Sequence, residues 1–211
     1  MAGSPPRPAI PHLAGLDLTL ETPRLRLRRF EESDVDDIWP VVSNPEFPKM
    51  MSWAAHTDRS ETLGFVRAVN EGLAQNAGVV WAIEHEGRVI GSIALDSMVF
   101  ALRALRIDRA ELAFWIAQEH WNKGLMTEAA DAVVRCAFHT IGLHKVTVGC
   151  IADNAASRRV IEKLGFRYVG RLEDDVWRDG KWHSLLRYEL TAQEWPDAHA
   201  TMRISSRPPR T

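Results

Sequence analysis

The sequence predicts an α+β fold built as one domain. The first observation is the stretch Arg109–Gly170, whose apolar periodicity indicates the order strand, loop, helix, strand, helix, strand. The second is a pair of hairpin signals, Glu86-Gly87 and Asp179-Gly180, each lying between two strand-like runs. The third is size, because 211 residues with 45% hydrophobic content can bury one good core.

The first half of the chain alternates short strand and helix signals. Leu25–Phe30 alternates apolar and basic residues, which predicts a half-exposed strand. Ser33 is the predicted N-cap of a helix that runs to about residue 42, and Asp58 opens a second helix that ends near residue 75. Strands follow over Val79–Glu84 and Val89–Leu95, and the charged stretch Asp96–Asp108 is predicted to be a loop.

The central stretch begins with a short apolar and aromatic run, Glu111–Ile116, which is typical of a strand. The chain then turns through His120–Gly124, and a helix is predicted to start near Leu125 because its apolar residues recur with a period close to 3.6. These apolar positions are Leu125, Ala129, Ala132, Val133, Cys136 and Thr140.

A second strand and helix complete the central stretch. The strand is predicted over Lys145–Ile151, and the helix after it has Asn154 as N-cap, Ser157 at its third position and Gly165 as its stop. A last hairpin, turned at residues 179–180, is predicted from the strands Arg167–Asp175 and His183–Leu190.

The turn before the predicted helix at Leu125 has the properties of an anion site. The first backbone N–H groups of a helix have no intrahelical partner, and they lie at the positive end of the helix dipole. Gly124 lets an anion approach these groups closely, which suits a phosphate or pyrophosphate. A plain turn is the alternative, since the sequence lacks both the Walker pattern and the dinucleotide-binding glycines.

Composition excludes several other classes of function. A net charge of −2 gives no basic field that would favour nucleic acid. Cys136 and Cys150 occupy apolar positions and are interpreted as core residues of a reducing, cytoplasmic compartment, not as a disulfide or a metal site. No apolar run approaches the ~20 residues of a membrane-spanning helix.

Three motifs in fixed order resemble one known family. They are Trp-Asn-Lys-Gly-Leu-Met-Thr-Glu-Ala from Trp121, Asp-Asn-Ala-Ala-Ser from Asp153, and Glu-Lys-Leu-Gly-Phe from Glu162. This order resembles the GNAT superfamily of acyl-CoA N-acyltransferases, and most closely its RimJ/RimL branch of ribosomal-protein N-terminal acetyltransferases. The resemblance implies a mixed, mostly antiparallel sheet flanked by helices. We therefore expect a flexible lead-in over residues 1–15, the GNAT domain over 16–195 and a C-terminal tail over 196–211.

The resemblance also implies acetyl-CoA as cosubstrate and assigns residues to bind it. The strand end Ile116-Ala117 is expected to bind the pantetheine arm, and backbone amides of the following loop and helix are expected to bind the pyrophosphate. These amides belong to Asn122, Lys123, Gly124, Leu125, Met126 and Thr127. Trp121 stands where the family pattern has Arg or Gln, so that a charged contact is missing there.

The same resemblance suggests the acid that protonates the leaving thiolate. Ser157 matches the serine of the RimL-like pattern Asn-x-x-Ser, and Asn154 is then expected to bond the pantetheine amide. Both residues can equally be ordinary members of a helix N-terminus, and the two interpretations are compatible. Tyr168 and Tyr188 do not match the position of the tyrosine that many GNAT enzymes use as acid.

The general base is less directly indicated. Val176 aligns with the glutamate of the RimL-like pattern, so that the glutamate is missing. Glu111, on the strand beside the expected acyl group, is the best replacement, and Asp175 and His183 come after it. The alternative for Glu111 is an ion pair at a strand end.

The predicted function is acetyl transfer from acetyl-CoA to a primary amine, by direct attack in a ternary complex without a metal. The RimJ/RimL resemblance favours a protein N-terminal α-amine as the acceptor, and it includes the N-terminus of a ribosomal protein among the expected partners. A small-molecule amine (an antibiotic, polyamine or amino acid) and a catalytically degenerate CoA-binding sensor remain alternatives. Met50, Met51 and Trp53 either line the acceptor site or belong to the core, and a homodimer is left open.

Overall fold

The computed structural model describes residues 9–195, and in this part of the chain eight strands form one sheet. Its strand order is β1-β2-β3-β4-β5-β6-β8-β7. The strands are β1 Leu20–Glu21, β2 Arg26–Arg28, β3 Val79–His85, β4 Arg88–Leu102, β5 Leu105–Ile116, β6 Lys145–Ile151, β7 Arg167–Arg178 and β8 Lys181–Thr191. The helices are α1 Val35–Val42, α2 Arg59–Ala74, α3 Leu125–His139 and α4 Ala155–Lys163.

The sheet is mixed, as the sequence predicts. β5 and β6 pair in parallel, and the other neighbouring strands pair in antiparallel fashion. A parallel pair requires a crossover connection, and α3 supplies it between β5 and β6. This crossover places the loop before α3 at the end of β5, in the middle of the sheet.

Two hydrophobic cores cover the two faces of the sheet. In β3, Trp81 and Ile83 belong to one core, whereas Ala82 belongs to the other, as expected because successive side chains of a strand point to opposite faces. The first core contains the buried residues of α3 and α4. The second contains the buried residues of α1 together with Val66 of α2. We call this second side of the sheet the acceptor face, because the family resemblance implies that these two helices line the acceptor site.

The predicted loop Asp96–Asp108 is wrong. β4 continues to Leu102 and β5 starts at Leu105, so that the two strands form one long hairpin. The pairing register shifts twice in this part, and Ser97 has a positive φ of 48°. These bulges interrupt the apolar alternation in the sequence, which hides the strand from a periodicity argument.

The predicted cap of the first helix is also wrong. A 3₁₀ turn over Glu32–Asp34 precedes α1, and Glu31 and Asp34 cap it reciprocally, where Ser33 was expected to cap. Helix α2 has the predicted cap, because the Asp58 side chain accepts from the Ser60 N–H at 2.7 Å. In the first case the acidic neighbours Glu31 and Asp34 form the cap in place of Ser33.

The ends of the chain are described in part. Leu13, inside the expected lead-in, is fully buried in the first core, and its N–H donates to Asn76 Oδ1 at 2.7 Å. Residues 1–8 and the expected tail over 196–211 lie outside the described residues. Among the helices within residues 9–195, none is both long and apolar enough to cross a membrane.

Candidate active site

The candidate site begins where β5 and β6 part. Their parallel pairing covers Arg109–Leu112 and Lys145–Val148 and ends there. Beyond this point β5 continues to Ile116 along β4, and β6 continues to Ile151 along β8. The facing edges of the two strands therefore leave a gap, in which an extended ligand can bond to backbone groups that no longer pair with each other.

The loop at the open end of this gap leads directly into α3. Asn122 and Gly124 both have positive φ, 60° and 77°, and Gly124 is the N-cap of the helix. The Glu128 N–H donates to the Gly124 carbonyl as the first bond of the helix. The N–H groups of Leu125, Met126 and Thr127 precede that bond, and such groups have no partner inside a helix.

The residues predicted for CoA binding between Ile116 and Thr127 line one continuous segment, whereas Asn154 lies apart from it at the start of α4. Ile116 and Ala117 form the end of β5, a 3₁₀ turn over Gln118–His120 follows, and the exposed loop residues Asn122–Gly124 come next. A pyrophosphate on the first turn of α3 and a pantetheine arm in the gap would thus be contiguous. The segment therefore fits CoA, the group that the family resemblance implies.

Trp121 has a different role from the charged residue that it replaces. Its indole Nε1 donates to the Ile116 carbonyl at 2.8 Å, which closes the loop onto the end of β5. Its side chain is still 45% exposed. Next to it, burial and then the charge of Lys123 lower the pKa of His120. The histidine ring is therefore neutral at pH 7 and adds no charge to the loop.

Asn154 and Ser157 lie at the start of α4, directly after β6. The Asn154 side chain accepts from the Ser157 N–H at 3.1 Å, which is the predicted N-cap. The cap uses Oδ1, so that the amide nitrogen of Asn154 can donate to a carbonyl of a ligand in the gap. Ser157 is half-buried at the same helix end. Both predicted residues thus flank the gap from the β6 side.

Glu111 lies on β5 one residue before the pairing with β6 ends. It is directly opposite Thr147 of β6 and belongs to the acceptor face. Arg187 of β8 reaches it across β6, and its Nη1 donates to Glu111 Oε1 at 2.7 Å. An added Cβ at Gly149 would lie 2.8 Å from Arg187 Nη1, so that a larger residue there would force the arginine to shift. The ion pair is the alternative that the sequence left open, and it occurs at the mouth of the gap.

The two other candidates for the base are more distant. His183 is buried on β8 and pairs with Val176 of β7, and Asp175 is exposed on β7. In the strand order, β8 lies two strands and β7 three strands from β5. A carboxylate that the sequence did not single out is nearer: Asp96 of β4 lies directly opposite Glu111. Burial, and then the charge of Glu111, raise the pKa of Asp96.

Aromatic side chains form the wall of the acceptor face beside the gap. Trp115 of β5 packs against Phe47 and Trp53, with ring centroids 5.7 and 6.3 Å away. Arg178 Nη1 donates to the Trp53 carbonyl at 2.9 Å, which ties the β7–β8 hairpin to this segment. The sequence leaves open whether Trp53 and Met50 line the acceptor site or belong to the core. In the structure Trp53 is half-buried in this wall, and Met50 is 40% exposed.

The assembled site can carry out acyl transfer to an amine. It offers helix amides for an anion, a gap between strands for an extended arm, a hydroxyl at one side and a carboxylate at the other. Sequence reasoning missed Arg187, Arg178 and Asp96, which contact the site from other strands. Arg187 alternates with apolar neighbours, which marks the polar face of a strand but not a partner, whereas Arg178 and Asp96 are each followed by a polar residue and lack even that signal.

Comparison with known families gives a match over most of this region. A family model described as an acetyltransferase (GNAT) domain matches residues 24–167. This range includes every residue assigned above to CoA binding, to the hydroxyl and to the carboxylate at the gap. It ends at the first residue of β7, so that Arg187 lies beyond it.

Individual relatives are similar at modest identity. The chain is 28% identical over 163 residues to an uncharacterized N-acetyltransferase, YoaA, of Bacillus subtilis, covering 76% of this chain and 89% of the relative. It is 31% identical over 84 residues to the [ribosomal protein uS5]-alanine N-acetyltransferase of Escherichia coli, covering 40% and 43%. Mycobacterium smegmatis RimJ, solved with CoA-disulfide, superimposes with a TM-score of 0.76 at 19% identity, covering 86% of this chain and 89% of that one.

Proposed function

The chain belongs to the acetyltransferase (GNAT) domain family and is an acetyl-CoA-dependent N-acetyltransferase, and from this premise we propose that its acceptor is the α-amine of a protein N-terminus. The amine attacks the thioester carbonyl directly while both substrates are bound. A nitrogen–carbon bond forms, the carbon–sulfur bond breaks, and the amine loses one proton while the CoA thiolate gains one.

The observation that carries this proposal is the ion pair between Arg187 and Glu111. Arg187 occupies one oxygen of the carboxylate that faces the acceptor, at 2.7 Å. Because one oxygen of this carboxylate is engaged, the acceptor that fits best is an amine that is already partly neutral and needs the least help in losing its proton. An N-terminal amine, with a pKa of ~7.7–8.0, is ~10% neutral near pH 7, whereas a lysine amine with a pKa near ~10.4 is under ~0.1% neutral.

Each element of the site then has a role in the proposal. The amides at the start of α3 hold the pyrophosphate, and the edges of β5 and β6 hold the pantetheine arm. Asn154 donates to a pantetheine carbonyl, and Ser157 protonates the departing thiolate. Glu111 accepts the proton of the amine, directly or through a water. The aromatic wall around Trp115 holds the residue that bears the amine.

Two further points support an intracellular protein acceptor. The relative from Escherichia coli is named for the N-terminal acetylation of alanine on a ribosomal protein, which is the same reaction on the same class of acceptor. Cys136 and Cys150 are both buried thiols, as suits a reducing compartment, and we therefore place the reaction in the cytoplasm. The proposal includes a ribosomal-protein N-terminus as the first acceptor to test.

A single peptide with two amines tests the proposal. The peptide carries a free N-terminal alanine and one internal lysine, and mass mapping after incubation with acetyl-CoA near pH 7 locates the product. We expect acetylation at the α-amine to exceed that at the lysine by at least about tenfold, from the difference in neutral fraction.

Two controls define the outcome. A peptide with a blocked N-terminus and the same lysine should release little CoA thiol. A panel of small amines, including an amino acid and a polyamine, should be slower than the free peptide. Mainly lysine acetylation, or a small amine that exceeds the peptide, would overturn the protein N-terminus as acceptor and leave the acetyltransferase activity in place.

A further inference from the structure

Arg24, in the turn between β1 and β2, reaches across to the start of α3. Its Nη1 donates to the Lys123 carbonyl at 2.9 Å, and its Nε donates to Glu128 Oε2 at 2.7 Å. Its Nη2 lies 2.6 Å from the same carboxylate oxygen. The side chain therefore bridges the loop before α3 and the first turn of that helix. It does so from a part of the sequence about a hundred residues away.

The turn that carries Arg24 is itself held in place. The Arg24 N–H and the Thr22 hydroxyl both donate to Glu128 Oε1, at 2.9 and 2.7 Å. His85 Nδ1 lies 2.9 Å from the Arg24 carbonyl. Each oxygen of the Glu128 carboxylate is thus engaged from the β1–β2 turn. The guanidinium is positioned by backbone as well as by side-chain bonds.

Glu128 is ionised in this arrangement. Burial alone would raise its pKa, but hydrogen bonds from Thr22 and Arg24, together with the charge of Arg24, outweigh burial and lower the pKa. A full negative charge therefore lies in the first turn of α3. This is the same turn whose amides bind the pyrophosphate in the proposed function, and like charges at close range repel.

The guanidinium also adjoins the loop at the glycine. An added Cβ at Gly124 would lie 3.6 Å from Arg24 Nη2, so that the cation faces the backbone where an anion would approach. Trp121, which stands where the family pattern has Arg or Gln, donates to the Ile116 carbonyl instead. The cation that the loop lacks at residue 121 is therefore present at residue 24, supplied by another element.

We propose that Arg24 is a positioning residue of the CoA site, which cancels the charge of Glu128 and holds the Lys123 carbonyl so that the amides at the start of α3 remain available to the pyrophosphate. This inference rests on the proposed location of the pyrophosphate on that loop. It adds a requirement that the loop sequence alone does not contain. The nucleotide end of CoA depends on an ion pair between the first hairpin and α3.

Calorimetric titration of CoA into four variants tests this inference. Arg24→Met should raise the Kd for CoA about tenfold, because a charged group beside a helix N-terminus acts on a bound anion at this scale. Glu128→Gln should stay within about threefold of the wild type, since it removes a repulsion along with the pair. The double variant Arg24→Met/Glu128→Gln should recover most of the loss. Arg26→Met is the matched control, because Arg26 lies in the same hairpin and pairs with Glu21 at the surface.

Salt dependence separates this role from a merely structural one. The ratio of the Kd values of Arg24→Met and the wild type should fall as the salt concentration rises from 50 to 500 mM, since salt screens a repulsion between charges and would not repair a distorted loop (screening length ~10 Å at 0.1 M). Arg24→Lys keeps the charge and loses the bond geometry, so it should bind CoA better than Arg24→Met. If Arg24→Met does not fold, Arg24→Lys takes its place in the CoA titrations.

Two results would overturn the inference. One is a Kd for Arg24→Met equal to that of Arg26→Met. The other is a double variant that binds CoA no better than Arg24→Met, with the same deficit at both salt concentrations. No amine is present in these titrations, so their result is independent of the acceptor. A wrong acceptor would appear in the peptide experiment alone, with CoA binding unchanged.

Discussion

Arg187 on β8 donates to Glu111 on β5 at 2.7 Å, across the strand that lies between them. Gly149 on that middle strand leaves the space through which the arginine passes. Both side chains are partly exposed, 41% for Arg187 and 33% for Glu111, so that an acceptor can reach the carboxylate. The pair fixes the direction of the carboxylate at the mouth of the gap between β5 and β6.

Replacing Glu111 tests whether this carboxylate takes the proton of the amine. Glu111→Gln should lower kcat/KM by about 10²-fold at low pH, which is the scale of a general base. The loss should shrink at high pH, where the amine loses its proton without help. The measurement is a pH profile of kcat/KM between pH 6 and 9, with thiol release as the readout.

Two neighbouring variants complete this test. Glu189→Gln is the control, because Glu189 is a carboxylate of the same sheet that pairs with Lys145 and Arg167 and has no assigned role in the site. Gly149→Ala pushes on Arg187 and releases the direction of the Glu111 carboxylate, so it should lower the rate, but by less than Glu111→Gln at low pH because the carboxylate is still present. A Glu111→Gln variant that loses the same factor at every pH would exclude proton transfer as the role of this residue.

Ser157→Ala tests the proton donor to the thiolate. The Ser157 backbone N–H keeps its bond to Asn154, so the helix cap should survive the substitution. Turnover should fall by about 10²-fold while the Kd for CoA changes little, because a hydroxyl that protonates the leaving group acts mainly in the transition state. Single-turnover kinetics and calorimetry on the same preparation measure the two quantities.

Asn154→Ala is the matched comparison for Ser157→Ala. It removes the cap of α4 and the amide that we propose to donate to the pantetheine, so we expect weaker CoA binding together with a lower melting temperature. The two residues are three apart, and their variants should differ in which quantity changes. If Ser157→Ala turns over at the wild-type rate, solvent supplies the proton and the serine is structural.

The local parts of the site are the ones that sequence reasoning could predict. Gly124 before α3 and Asn154 before α4 can be predicted from residues three or four positions away, because helix caps are made within one turn. Both occur as predicted. The parting of β5 from β6 cannot be seen in the sequence pattern, since apolar residues continue on both strands after pairing ends.

Non-local contacts account for what the sequence did not indicate. Arg24 contacts Glu128 and Arg187 contacts Glu111 because the fold brings together elements that are far apart in sequence, and a charged residue in a sequence does not specify its partner. The β4–β5 hairpin was hidden by bulges, where Ser97 departs from the alternation that marks a strand. Asp96 lies at the edge of that irregular part, which is why it was assigned to a loop.

The last prediction concerns Asp96, which lies directly opposite Glu111. Burial and the charge of Glu111 raise its pKa, while a hydrogen bond from Ser97 opposes them. A carboxyl whose folded pKa exceeds its unfolded pKa costs stability when it is ionised in both states. This cost is fully present above the folded pKa, and it disappears as the pH falls through that value towards the unfolded pKa.

Asp96→Asn should therefore stabilise the protein at neutral pH and lose this advantage in acid. We expect a melting temperature about 2 °C higher at pH 7.5, a change that is readily resolved for a chain of this size. The difference should decline as the pH is lowered towards 4.5. Asp175→Asn, an exposed carboxylate on β7, should show no comparable gain. An equal gain for Asp96→Asn at every pH would show that packing, and not the buried charge, sets the effect, because removing an ionised carboxylate can help only where that carboxylate is ionised.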